Sequence, residues 1–563
     1  MFFLHQKRKT KRPKYSDIDP DEIFADSHNF PNFDKSQLEG RIEKPISKKS
    51  ILGLGIVLLL ICFVFVSKIW ILQIKKGESY LIESEQNHLK KTIIFAKRGV
   101  VYDRNKELLV WNTKEKEEDF YLRKYTNLGG FSHLLGFINY PLKDNSGFYY
   151  QEEVIGMSGV EKFFNEQIGG VNGSKISEID ALMNVKSEST IWPPVDGEDI
   201  VLSIDSKVQN KLYENIKSLS QSVGFSGGAG VIMDIKTGEI IAITSYPEFD
   251  SQIMSDGIEE EKIRSFVTNT NKPFLDRVNM GLYTPGSIVK PFMAIGALNE
   301  NIIKPETQIL SMGQIEIQNP YDSTKKSVFK DWKAHGWVDL KQALAVSSNV
   351  YFYEIGGGFG SQRGLGIEKI NSYVKAFGLG EETGINLYES SGIIPSPEWK
   401  KENFDGEVWR LGDTYNTAIG QYGFQVTPIQ MVRGVATIAN NGGIVTPTVL
   451  FGDQINVKKI PIDIPQKFFD AVKGGMRESA LTGTAKGLNI VGFDIAAKTG
   501  TAELGTVKKT VNSWAVGFFP YKNPKYAFAV VMEKGPRDNV IGGVFVMRGL
   551  FDWMIQNTPE YTK

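Results

Sequence analysis

Ser287 and Lys290 stand three residues apart in Tyr283-Thr284-Pro285-Gly286-Ser287-Ile288-Val289-Lys290. On a helix that spacing puts both side chains on one face. A serine hydroxyl is a poor nucleophile until a base takes its proton, and an amine one turn away is such a base. The apolar run Phe292-Met293-Ala294-Ile295-Gly296-Ala297-Leu298 predicts a buried helix, and Pro285-Gly286 breaks the chain before it. Ser287 is therefore expected in the first turn of that helix. Free N–H groups and a partial positive charge there would receive an oxyanion. The chemistry this allows is acyl transfer through a serine.

The same four-residue spacing recurs at Ser323/Lys326, Ser327/Lys330 and Ser372/Lys375. The first two rivals lie in the polar, lysine-rich stretch Tyr321 to Lys330, which reads as a turn or hairpin. Ser372 lies inside a helical pattern with no break before it. Only Ser287 combines the break with an apolar helix.

Acyl transfer also needs a proton relay to the leaving amine, a carboxylate site and a second oxyanion donor. Ser347-Ser348-Asn349 is a polar triplet set among Leu344-Ala345-Val346 and Val350-Tyr351-Phe352, as expected of groups lining a buried cleft. Lys498-Thr499-Gly500-Thr501 ends the apolar run from Ile495. Such a strand end offers a cation, hydroxyls and a glycine that lets backbone approach a ligand. A second copy, Lys236-Thr237-Gly238, sits between Asp234 and Glu239 and reads as a hairpin turn.

The elements around these motifs follow from the rest of the chain. At 563 residues there is room for three or four domains. Lysine plus arginine equals aspartate plus glutamate, 65 each, so no global charge points to nucleic acid. The single cysteine, Cys62, excludes an internal disulfide framework and a Cys-rich metal site. Cys62 falls in Ile51 to Val66, which continues through Lys68 and Trp70 to Leu72. That length of apolar residues is expected to cross a membrane. Lys68 can snorkel and Trp70 suits the interface. Six basic residues from Lys7 to Lys14, with Lys48 and Lys49, place the N-terminus in the cytoplasm and the chain after about residue 75 outside. Residues 1–50 read as a disordered tail. Gly77 to Lys90 reads as a polar helix, and the runs flanking Asp103 to Lys106 as a structural hairpin. A short helix is expected over Val160 to Gln167, and a strand over Ile200 to Ile204. Asp205-Ser206 should cap a helix from Lys207 to Ser220. Strands are predicted at Gly227 to Ile235 and Ile240 to Ser245. A helix-rich stretch (about 290–440), a strand-rich one (about 445–535) and a helix from Val540 to Asn557 complete an α+β domain whose sheet is closed by distant segments.

In the order Ser287-x-x-Lys290, Ser347-x-Asn349, Lys498-Thr499-Gly500, the chain resembles the penicillin-binding protein and serine β-lactamase superfamily. Arg98-Gly99-Val100-Val101-Tyr102-Asp103-Arg104-Asn105 and Gly156-x-x-Gly159-Val160-Glu161 look like its membrane-proximal and pedestal motifs. Gly412-Asp413-Thr414, Ile419-Gly420-Gln421 and Gln425-Val426-Thr427-Pro428-Ile429-Gln430 look like its transpeptidase landmarks. With one span and no glycosyltransferase domain, the resemblance is to a class B, monofunctional member. Trp409-Arg410-Leu411-Gly412-Asp413-Thr414 and Asp331-Trp332-Lys333-Ala334-His335-Gly336 lean towards the elongation type. Two residues depart from that pattern: Asn349 stands where elongation-type members often carry Asp, and Ala497 where Gly usually precedes Lys-Thr-Gly.

The resemblance implies a cytoplasmic tail (1–50), a transmembrane helix (51–74), an α+β pedestal (75–200) and a transpeptidase domain (201–563). It implies a D,D-transpeptidase acting on peptidoglycan stem peptides ending in D-Ala-D-Ala, inhibited by β-lactams and needing no cofactor. Ser287 would be the nucleophile, Lys290 the base and Ser347 the relay to the leaving D-alanine. Asn349 would hold the peptide backbone, and Lys498, Thr499 and Thr501 the terminal carboxylate beside Gly500. The N–H groups of Ser287 and Thr501 would form the oxyanion hole. To act near pH 7, Lys290 must lose about three pKa units, and burial with the charge of Lys498 would drive that. The implied partners are the membrane, a SEDS-family glycan polymerase and elongation-complex proteins, with no nucleic acid. The alternatives are a division-type transpeptidase, a carboxypeptidase, a β-lactamase, a β-lactam-binding sensor, or a scaffold that activates a polymerase.

Overall fold

The computed structural model describes residues 47–86, 89–116, 118–179, 185–319, 322–453, 456–505 and 509–562. All but the last four residues of the expected 1–50 tail lie outside the described residues. The chain divides into two compact units, Met1–Leu89 and Lys90–Lys563.

In the first unit, Lys48–Trp70 is an α-helix with Ser47 as its N-cap, prolonged as a π-helix over Ile71–Lys75. None of its side chains is buried, and it is long and apolar enough to cross a membrane. A second helix, Gly77–Gln86, is the polar one expected, but it stops short of Lys90, and Leu89–Ile94 is a strand.

The second unit begins with small sheets. Val101–Tyr102 and Leu108–Thr113 form the predicted hairpin, joined by Leu122–Tyr125 and, in parallel, by Ile200–Val201. The strand expected over Ile200 to Ile204 stops at Val201. Beyond it Leu202 meets Leu450 in a single bridge, and the Ser203 hydroxyl donates to Ile240 O. The helix expected over Val160 to Gln167 is two short ones, Gly159–Phe163 and Asn165–Gly169, with the break at Phe164.

Two sequence motifs meet in a buried ion cluster here. Arg98 Nε and Arg123 Nε donate to the two carboxylate oxygens of Glu161, at 2.9 and 2.7 Å. Asp103 performs a second join. Its Oδ1 caps the hairpin turn through Asn105 N and Glu107 N. Its Oδ2 receives Ser206 N and Ser206 Oγ at the start of the next helix.

That helix, α1 (Ser206–Val223), is capped by Asp205 as the sequence indicates and ends at Gly224 in the left-handed region. It packs on a five-stranded antiparallel sheet. The strands are β1 (Gly227–Asp234), β2 (Ile240–Tyr246), β3 (Ala496–Leu504), β4 (Thr510–Phe519) and β5 (Tyr526–Pro536). Their order is β2-β1-β5-β4-β3, so distant parts of the chain close one sheet and β3 is its edge.

Between β2 and β3 lie the helices that carry the remaining motifs. These are α2 (Lys290–Asn299), α3 (Leu340–Val346), α4 (Asn349–Gly357), α5 (Leu411–Ala418) and α6 (Gln466–Leu481). The sequence reading took 445–535 as strand-rich and missed α6. Phe469, Val472 and Met476 are its buried stripe, at helical spacing. The closing helix, α7 (Gly543–Asn557), starts three residues later than expected. In α2 every residue from Lys290 to Leu298 is buried. Each large apolar side chain there contributes about 1.5–3 kcal/mol, which is what holds a lysine at the helix start inside the core.

Candidate active site

Three fixings hold the turn that carries Ser287. Tyr283 pairs with Val426 by two backbone hydrogen bonds of 3.0 Å. Trp514 Nε1, from β4, donates to Thr284 O at 3.1 Å. Gly286 N donates to Gly420 O at 2.9 Å. Gly286 has φ 58°, and a Cβ there would lie 3.2 Å from Thr501 O on the edge strand. The turn itself, Gly286–Val289, is a 3-10 turn leading into α2, slightly tighter than the α-helical turn expected. Ser287 is half-buried within it.

Lys290 is fully buried. Its Nζ donates to Ser347 O and Asn349 Oδ1, each at 2.8 Å, and lies 3.4 Å from Ser347 Oγ. Among the described residues, no hydrogen bond joins Ser287 Oγ to Lys290 Nζ. Burial pulls the Lys290 amine down from 10.5 to about 7, against a smaller upward pull from the Asp331 carboxylate. The sequence reading credited part of that fall to Lys498; desolvation carries it instead.

Lys498 reaches the same hydroxyl from the other side. Its Nζ donates to Ser347 Oγ at 2.7 Å and to Thr499 O at 2.9 Å. It too is fully buried, and burial, then the Lys290 charge, lowers it well below the ordinary lysine value. The strand was expected to end at this motif. It runs on to Leu504, pairing Thr499 with Ala515, Gly500 with Trp514 and Thr501 with Ser513. Gly500 is needed where it is: a Cβ would meet Pro285 O at 2.7 Å.

Ser347 itself ends α3 in the left-handed region, at φ 58°. A non-glycine residue there costs about 1–3 kcal/mol, so its surroundings must hold it. They do so through Ser348 and Asp331. Ser348 is the N-cap of α4 and donates from Oγ to Asp331 Oδ2 at 2.8 Å. The same carboxylate oxygen receives Val350 N at 3.0 Å and Ser311 Oγ at 3.3 Å. Asp331 Oδ1 lies 3.8 Å from His335 Nε2, and both side chains are buried. Trp332 Nε1 donates to Val346 O at 3.2 Å, bracing the residue before Ser347. Asp331 is thus a positioning residue that the sequence reading quoted in a motif but gave no task.

The expected residues do not all gather equally. Lys290, Ser347, Asn349 and Lys498 are joined by direct hydrogen bonds, and Gly500 packs on the Ser287 turn. The Thr499 hydroxyl is bonded to Thr484 Oγ1 at 2.6 Å, and no local motif marks Thr484. Thr501 is exposed on the edge strand. The rival pairs are on other elements: Ser323, Lys326, Ser327 and Lys330 on the strand Asp322–Lys330, where the Lys330 carbonyl meets the site, accepting from Asn349 Nδ2 at 3.4 Å, and Ser372 and Lys375 on the helix Ile367–Ala376. The second Lys-Thr-Gly is the turn expected, with Asp234 Oδ1 accepting Lys236 N and Thr237 N.

Residues 228–543 match the penicillin binding protein transpeptidase domain, and residues 118–202 the penicillin-binding protein dimerisation domain. The chain belongs to the penicillin-binding protein transpeptidase family. Within this family it is similar to penicillin-binding protein 2. The peptidoglycan D,D-transpeptidase MrdA of Acinetobacter baumannii is 32% identical over 445 residues, covering 73% of this chain and 63% of that protein. The MrdA protein of Haemophilus influenzae is 29% identical over 481 residues, covering 79% and 71%. In three dimensions, the Helicobacter pylori penicillin-binding protein 2 solved in complex with MreC superposes with a TM-score of 0.70 at 26% identity. That superposition covers 84% of this chain and all of the other. Membership makes this a transpeptidase of the penicillin-binding serine-enzyme kind, and the apolar helix fits an enzyme anchored in a membrane.

Proposed function

We propose that this penicillin-binding protein is an elongation-type peptidoglycan D,D-transpeptidase working through an acyl-enzyme on Ser287. The observation that carries the reading is the convergence on Ser347 Oγ of Lys498 and of Lys290, which itself stands one turn from Ser287. Neutral Lys290 takes the Ser287 proton as the hydroxyl attacks the D-Ala-D-Ala carbonyl. The hydrogen bond this needs tightens on substrate binding, as is usual for catalytic contacts that are loose in free enzymes. The oxyanion is held by the Ser287 and Thr501 N–H groups, the second of which lies on an edge strand with one side free of sheet pairing. Ser347 passes a proton to the leaving D-alanine, and the bond to Lys498 keeps its hydroxyl aimed. Asn349 holds the stem peptide backbone. Lys498, Thr499 and Thr501 bind the terminal carboxylate, with Thr499 exchanging Thr484 for the ligand. An amine of a second stem then takes the acyl group, and the cross-link is made.

The domain limits 75–200 and 201–563 belong to this reading, as does a single pass with the catalytic unit outside the cytoplasm. The partners are an elongation-complex protein of the MreC kind, by likeness to the Helicobacter pylori complex, and a SEDS-family polymerase that supplies glycan strands.

The test is intact-mass spectrometry of the full chain in detergent after incubation with benzylpenicillin. A single stable adduct on Ser287, lost in Ser287→Ala and kept in Ser323→Ala and Ser372→Ala, is the expected result. Loss in either control overturns the choice of serine. Hydrolysed drug without an adduct overturns the transpeptidase in favour of a β-lactamase.

A further inference from the structure

Behind the Ser287 turn, a buried lysine that the proposed chemistry does not use is built into the support of Gly420. Lys400 lies on the helix Pro397–Asn403, and its side chain is 2% exposed. Its Nζ bonds Asp413 Oδ2 at 2.7 Å and lies 3.4 Å from Glu407 Oε2. Asp413 Oδ2 also accepts Arg410 N at 2.7 Å, capping α5. Lys400 Nζ sits 5.7 Å from the ring centre of Tyr422, whose hydroxyl faces both Lys400 and Asp413.

Tyr422 is held in the left-handed region at φ 63°. Its ring stacks on Phe404 (5.9 Å between centres, 10° between planes) and meets Trp399 and Trp409 edge-on at 5.9 and 5.8 Å. The loop on either side of Tyr422 has no slack. A Cβ on Gly423 would lie 2.3 Å from the Trp399 ring, and one on Gly420 2.3 Å from Gly286 O. Gly420 N and Gln421 N are bonded to Thr417 O and Asn416 O at the end of α5, each at 2.9 Å. The loop is therefore clamped between the helix of Trp399 and Lys400 on one side and the nucleophile turn on the other. Gly420 O is the acceptor that Gly286 N uses.

We infer that Lys400 is a positioning residue for the Ser287 turn, acting through Asp413 and Tyr422 on the Gly420 loop. It touches no reacting atom. Its charge satisfies the Asp413 carboxylate that starts α5 and fixes the ring whose strained backbone leads back to Gly420. Loss of the ammonium frees Tyr422 to leave the left-handed region, and Gly286 then loses its fixed acceptor. A shift of an ångström in the Ser287 N–H is enough to slow acylation about 100-fold. In the proposed mechanism the β-lactam is bound before acylation by Asn349, Lys498, Thr499 and Thr501, and among the described residues no hydrogen bond joins Lys400, Asp413 or Tyr422 to any of these four.

The inference rests on Ser287 as nucleophile. Failure of that assignment would show as a wild-type adduct on another residue; failure of the inference leaves the wild-type adduct on Ser287. The experiment is stopped-flow acylation of the full chain in detergent by a fluorescent penicillin, resolving the initial binding constant from the acylation rate constant. Lys400→Met should lower the rate constant about 10- to 100-fold with the binding constant changed less than threefold. Tyr422→Phe keeps the ring and removes only the hydroxyl, and should lower the rate constant about three- to tenfold. Lys400→Met that folds and acylates at the wild-type rate, or whose loss lies in the binding constant, overturns the inference. Should Lys400→Met fail to fold, Tyr422→Phe decides: an unchanged acylation rate constant overturns it.

Discussion

Lys290 and Lys498 share one oxygen. Ser347 Oγ lies 3.4 Å from the first amine and 2.7 Å from the second, and all three side chains are buried. Two ammonium groups in that space would repel each other across a medium that screens poorly. The pair is therefore most stable with at least one of the two amines neutral. In the proposed mechanism the carboxylate of an incoming stem peptide favours the charge on Lys498, which leaves Lys290 as the neutral base.

Acylation should therefore rise with pH through an acid limb near 7, where Lys290 loses its proton. Asp331→Asn removes the carboxylate that holds the Lys290 proton on. The limb should then move to lower pH, by roughly half to one unit, while Ser348 and Val350 keep an amide oxygen to bond. Second-order acylation by a fluorescent penicillin between pH 5 and 9, run on both proteins, reads this. A limb that stays put or moves up contradicts the assignment of Lys290 as base.

Burying Lys290 also affects stability, and the sign is fixed. Its folded value of about 7 lies below the ordinary 10.5. Above 10.5 both states hold a neutral amine and nothing is lost. As pH falls towards 7 only the unfolded chain gains the proton, and folding loses up to about 5 kcal/mol. Lys290→Met escapes that cost but strips a donor from Ser347 O and Asn349 Oδ1, at about 1–3 kcal/mol. The variant should be inactive yet more stable than wild type at pH 7, and its advantage should shrink or reverse by pH 10. Chemical denaturation at the two pH values checks this.

Gly500→Ala tests the packing of the edge strand on the nucleophile turn. The new Cβ would meet Pro285 O at 2.7 Å and Ile288 Cγ2 at 2.9 Å, and one of them is backbone. Acylation should fall at least about tenfold, because the turn and the strand carry the two N–H groups proposed to hold the oxyanion. The melting temperature should drop only slightly, since most of the sheet is unaffected.

Much of this site was legible because its motifs are local. Ser-x-x-Lys, Ser-x-Asn and Lys-Thr-Gly each place their groups within four residues, and a turn or strand end presents them. What escaped were partners brought by the fold from far along the chain. Asp331 reaches Ser348 across 17 residues and Thr484 reaches Thr499 across 15. Lys400, inferred to act on the Ser287 turn through the Gly420 loop, lies more than 110 residues beyond Ser287. No periodicity reports such contacts. The fold failed in smaller ways. Leu202 and Ile204 are as apolar as a strand requires, yet they are buried between segments without a neighbouring ladder. The signal for α6 is present in Phe469, Val472 and Met476, whose spacing is helical.

Glu161 offers a test away from the site. Burial pushes its carboxyl up, but Arg123 and Arg98 outweigh that and hold it below the usual value. Its contribution to stability is present at neutral pH and is lost as pH falls through that lowered value. Glu161→Gln leaves two arginines buried against an uncharged amide and should cost about 3–5 kcal/mol. Thermal melting of the full chain at pH 7 should show the loss, while acylation well below the melting point stays close to wild type.

The reach of Asp103 has a consequence for how the protein comes apart. One carboxylate closes a turn in the proposed pedestal and receives Ser206, the first residue of α1, and Ile200–Val201 lies as a strand beside Val101–Tyr102. The border proposed near residue 200 is therefore a shared seam within one compact unit. A catalytic domain severed there would begin its first helix with Ser206 facing solvent and a sheet edge newly bare. Heat should meet pedestal and catalytic domain as one cooperative block with a single melting transition, and a protease should find little to cut between them.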